Sequence, residues 1–87
     1  MIGNEQRDWI AAEIRWLTRA RGSDKSCCPS DIARRLDPDA WRDWMPAVRD
    51  AALTLARRGE IDICQGGVPV DPGLSPRGPI RLRRRDC

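Results

Sequence analysis

Eighty-seven residues, of which 40% are hydrophobic and 33% charged, suit one small soluble domain and exclude a disordered chain. No apolar run approaches the ~20 residues needed to cross a bilayer, so a membrane span is excluded too. The formal net charge of +3 is small but uneven. Residues 1–44 balance eight Lys or Arg against eight acids, whereas 45–87 set eight Arg against five acids.

The opening MIGNEQRDW has no basic stretch leading into an apolar one, so no secretory signal is expected and the expected compartment is the cytoplasm. From there, residues of about 4–20 read as a first helix. Ile10, Ile14 and Leu17 recur at helical spacing, and Trp9, Ala12 and Trp16 widen the stripe enough to suggest burial on two sides. Asn4 suits the N-cap, and Gly22 suits the stop. A short strand can follow at 25–27.

"CPSDIARRL" predicts a second helix over about 29–36. Pro29 fits the first helical position and Asp31 meets the positive end of the helix dipole. Asp37-Pro38 ends it. Asp39 is then expected to cap a short turn through Trp41 and Trp44, and Pro46 to open a third helix over about 46–58. Val48, Ala52 and Leu55 give that helix its apolar face, and Gly59 its end.

The closing run alternates with period two on both sides of a Pro- and Gly-rich loop. Ile61 and Ile63 mark one strand, about 60–65; Ile80 and Leu82 mark the other, about 79–84. Three helices followed by such a hairpin describe an α+β winged helix-turn-helix in a single domain over 1–87, with residues 66–79 as the wing.

The stretches "CPSDIARRL", "WRDWMPAVRDAALTLARRGEI" and "RGPIRLR" also resemble a family of small bacterial domains of unknown function with a winged-helix-like fold. The resemblance spans roughly residues 10–84 and departs at Asp31, where Glu is the expected residue. It implies the fold and a bacterial source, and it brings no activity.

Two sets of residues are candidates for nucleic-acid binding. On the third helix, Arg42, Arg49, Thr54 and Arg57 suit a recognition helix reaching base edges in a major groove. Asp43 and Asp50 lie nearby and would meet a phosphate-lined groove at an electrostatic cost. On the wing and last strand, Arg77, Arg81, Arg83, Arg84 and Arg85 suit phosphate contacts. The facing strand offers Glu60 and Asp62 as neutralising partners for Arg81 and Arg83. The expected partner is therefore double-stranded DNA, or alternatively another protein that uses the balanced helix surface; no membrane partner is expected.

Chemistry is thinly represented. Cys27 and Cys28 are adjacent, Cys64 and Cys87 are distant, and there is no His, which fits neither a zinc site nor a disulfide framework. Cys28 near a helix start is a conceivable redox thiol, although the commoner role is a small buried apolar group. Cys87 is expected to be exposed. No acid–base pair or activated nucleophile stands out, so no enzyme, metal or cofactor is expected. The four tryptophans are expected mostly in the core, with Trp41 and Trp44 as an alternative surface patch.

Overall fold

The computed structural model describes residues 4–22, 24–74 and 76–85. Helix α1 spans Asn4–Arg21, strand β1 Ser26–Cys27, helix α2 Pro29–Leu36 and helix α3 Trp41–Arg57. Strands β2 (Ile61–Gln65), β3 (Val68–Pro69) and β4 (Arg81–Arg84) follow, with one 3-10 turn at Pro72–Leu74. The expectations for the Asn4 side chain and for Cys87 fall outside the described residues.

The four strands form one antiparallel sheet in the order β1-β4-β2-β3. The last strand in sequence thus lies inside the sheet, between β1 and β2. Register follows from the alternation: Ile63 pairs with Leu82 on the helix-facing side, and Asp62 pairs with Arg83 on the other. A slip of one residue would turn Ile61, Ile63 and Leu82 to solvent. The winged helix-turn-helix read from the sequence is the observed architecture.

The core joins all the layers. Ile10, Ile14 and Leu17 of α1 meet Ile32 and Leu36 of α2, Val48 and Leu55 of α3, and Ile61, Ile63, Ile80 and Leu82 of the sheet. Small residues at Ala33, Ala52 and Ala56, all buried, let the elements approach closely. That leaves little room for indole rings. Contrary to expectation, the tryptophans sit at the rim: Trp9 is 44% and Trp16 56% exposed, while Trp41 and Trp44 pack only partly against the core.

Three local details differ from the sequence reading. Helix α3 begins at Trp41, a turn before Pro46, and continues through that proline. Near the start of a helix the ring costs little, because several amides there have no carbonyl partner to lose. The turn leading into it is fixed by Asp37 rather than Asp39: one Asp37 carboxylate oxygen accepts from the amides of Asp39 and Ala40, at 3.1 and 3.0 Å. Those two hydrogen bonds hold the Asp37 carboxyl below the usual carboxylate range.

The third difference is the wing, which is more structured than a plain loop. Gly66 and Gly67 have φ of +59° and +80°, the mirror-image turn that closes a two-residue hairpin and that residues with a Cβ rarely adopt. Gln65 and Val68 face each other across it. The chain then returns along β2, where the Val70 amide donates to the Ile63 carbonyl at 2.8 Å.

Candidate nucleic-acid interface

The five arginines that crowd residues 77–85 in the sequence are dispersed by the fold. Arg81 turns toward β1 and the start of α2. It donates to Ser26 Oγ, to the Ser26 carbonyl at 3.1 Å and to Cys28 Sγ at 2.9 Å. Arg83 meets Asp62 at 3.6 Å across the β2–β4 ladder, as the alternation suggests. Both side chains act within the fold.

Glu60 does not neutralise Arg81. Its carboxylate accepts from Arg15 Nε at 2.9 Å and from Arg15 Nη2 at 3.1 Å, in the two-pronged geometry that guanidinium and carboxylate favour. Glu60 lies just past the end of α3 and just before β2, where it faces α1 rather than the sheet. The hydrogen bonds from Arg15 and the nearby charges of Arg58 and Arg19 hold its carboxyl below the usual range.

Three arginines of the set stay uncommitted. Among the described residues, Arg77, Arg84 and Arg85 make no salt bridge, and all three are exposed. They occupy two places. Arg77 is in the wing, where its carbonyl accepts from Gln65 Nε2 at 2.6 Å. Arg84 and Arg85 lie at the other end of the sheet. Arg84 is opposite Ile61, and Arg85 rests against Gly59, where an added Cβ would meet its Nη1 at 3.1 Å. Arg58, also exposed, adjoins them. The carbonyl end of α3 attracts cations there.

The candidate recognition helix spends two of its arginines on the wing. Arg49 Nη2 donates to the Pro76 carbonyl and Arg57 Nη2 to the Pro72 carbonyl, each at 3.3 Å. These contacts seat the wing along α3. Arg42 stacks on Trp41 at 4.6 Å, and Arg34 of α2 stacks on the same ring at 4.5 Å. Thr54 donates to the Asp50 carbonyl at 3.1 Å. It faces a groove of about 560 Å³ between α1 and α3, floored by Ala11, Ala47 and Ala51 and edged by Asp8, Asp50 and Arg58. The nine candidate arginine and threonine positions therefore spread over an α3–wing face, an arginine corner at the far end of the sheet, and internal ties.

Around the thiols, burial pushes Cys27 up to about 11 and raises Cys64 as well. Cys28 is the more accessible of the adjacent pair and starts α2, where its amide donates to Asp31 Oδ2 at 2.9 Å. Asp31 reaches this bond from the position where the resemblance leads one to expect Glu. Among the described residues no group of three or more His, Cys, Asp or Glu side chains converges on a common point, and no helix is long and apolar enough to cross a membrane.

A protein-family profile described as "Protein of unknown function (DUF3253)" matches residues 7–85. No curated protein matches the chain.

Proposed function

We propose that this chain, which belongs to the DUF3253 family, is a nucleic-acid-binding domain that grips duplex DNA mainly through its phosphates. The observation that carries the reading is the set of exposed arginines without an ion-pair partner among the described residues: Arg77 in the wing, and Arg58, Arg84 and Arg85 at the opposite end of the sheet. Planar guanidinium groups suit phosphate oxygens. Base-edge contacts are left to Arg42 and the free donors of Arg49 and Arg57, beside the acids Asp43 and Asp50. Affinity with weak sequence preference is the expected result.

A titration of mixed-sequence duplexes followed by fluorescence anisotropy tests this. Log affinity falls linearly with log salt, with a slope of about −0.9 per phosphate neutralised. The double variant Arg84→Ala/Arg85→Ala flattens that slope and weakens every duplex alike. Absence of binding in the micromolar range at low salt defeats the proposal.

A second reading, a protein-interaction module on the same scaffold, is favoured by one observation. Trp16, an indole that a core would readily take, is more than half exposed. Exposed Trp beside Arg is the composition of interface hot spots.

A further inference from the structure

Helix α1 has a second apolar face that nothing within the fold covers. Trp9, Ala12, Trp16 and Ala20 follow one another at helical spacing on the side away from Ile10 and Ile14, and all four are exposed. Arg35 stacks on Trp16 at 4.3 Å and Trp44 meets Trp9 edge-on at 5.5 Å. Each ring is thus braced from the α2 and α3 side while its outer part stays open. The stripe alternates large, small, large, small.

We infer that this face of α1 packs against the same face of a second copy of the chain, antiparallel, in a twofold-symmetric homodimer. A twofold axis crossing α1 near Ile14 sets each Trp9 over the partner's Ala20 and each Trp16 over the partner's Ala12. Indoles then enter the gaps left by alanines, and no indole meets an indole. The same operation brings Asp8 beside the partner's Arg19, twice. Both side chains are exposed and neither makes a salt bridge within the chain among the described residues. Antiparallel packing also sets the positive start of each helix beside the negative end of the other. Shape and charge both complement themselves, as a twofold interface requires.

The area is sufficient for a reversible dimer. The exposed parts of Trp9 and Trp16 supply roughly 250 Å² per copy, about half of what the smaller specific interfaces bury on each side. Ala12, Ala20, Asp8, Arg19 and the outer edge of Arg15 lie along the same helix and supply the remainder. The inference stands apart from the nucleic-acid reading, since the wing and the exposed side of α3 take no part.

Sedimentation equilibrium of the full chain under reducing conditions, from micromolar to several hundred micromolar, tests it. A monomer–dimer equilibrium is expected. Ala12→Glu and Trp16→Ala each weaken it at least tenfold, and Trp41→Ala, on the separate Arg34–Arg42 stack, leaves it unchanged. Circular dichroism melts confirm that the variants fold. Asp8→Arg and Arg19→Asp each weaken the dimer, and the two together restore it, because each introduced guanidinium then faces an introduced carboxylate on the other copy; a merely structural effect does not restore. A chain that is monomeric throughout, a dimer indifferent to Ala12→Glu, or a charge swap that fails to restore association overturns the inference.

Discussion

Arg15 of α1 and Glu60, forty-five positions apart in the chain, close a two-pronged salt bridge of 2.9 and 3.1 Å. It clips the middle of the first helix to the junction where α3 gives way to β2. Both side chains remain 37% exposed, so solvent screens the attraction. A double-mutant cycle on Arg15→Ala and Glu60→Ala should give a coupling of about 0.2–1 kcal/mol. The Glu60 carboxyl ionises more readily in the fold than in the unfolded chain. Its contribution is therefore complete above the unfolded carboxyl value and is lost as pH falls through the lower folded one. Urea denaturation at neutral and acidic pH should show the coupling vanish on acidification.

Leu55 gives the clearest test of the core. It is 2% exposed and lies where α3 meets α1 and the sheet. Leu55→Ala should cost about 2–5 kcal/mol, the range for a buried leucine whose cavity closes only in part. Chemical denaturation measures it directly. A loss well under this range would show that α3 shifts to refill the space.

The thiols should separate by burial. Cys28, half-buried at the start of α2, should react first with an aromatic disulfide reagent in native protein. Cys27 and Cys64 should wait for unfolding, since both are buried. All should react once the chain is denatured. The buried Cys27 thiol ionises at about 11 in the fold and at about 8.5 when unfolded. Alkali therefore favours the unfolded chain. Stability attributable to this group is intact below the unfolded value and declines as pH climbs to the folded one, by roughly 3 kcal/mol at most. Cys27→Ala should remove that part of the alkaline decline.

Local periodicity made the architecture legible. Ile10, Ile14 and Leu17, and then Ile61, Ile63 and Leu82, declare their buried faces without reference to anything distant, and each is buried. Partner choice was less legible. Glu60 was within reach of two arginines on sequence grounds, the cross-strand Arg81 and the remote Arg15, and only the crossing of α1 over the α3–β2 junction selects the second. Arg81 shows the same limit, because its partners Ser26 and Cys28 become neighbours only when β1 adds to the edge of β4. The tryptophans misled for a related reason. Composition states that four indoles must be placed, but the alanines that fill the helix crossings decide that the rim receives them.

Arg49 tests what the α3 surface does for nucleic-acid binding. If Arg49 read a base edge, Arg49→Ala would relax sequence preference and leave the protein's dynamics alone. The guanidinium instead donates to the Pro76 carbonyl, and Arg57 repeats the contact at Pro72. These are the side-chain bonds by which α3 holds the outer part of the wing. Removing Arg49 should therefore loosen residues 70–79, which proteolysis within the wing and faster hydrogen exchange there would report. The β2–β4 ladder should keep its protection. Affinity should drop for all duplexes together, because Arg77 loses its fixed position while the bases read by the protein stay the same. Arg49→Lys should not rescue it fully, since an ammonium at the end of a more flexible stem does not reproduce the reach of Nη2. A change confined to sequence preference, with the wing as protected as before, would assign Arg49 to base recognition instead.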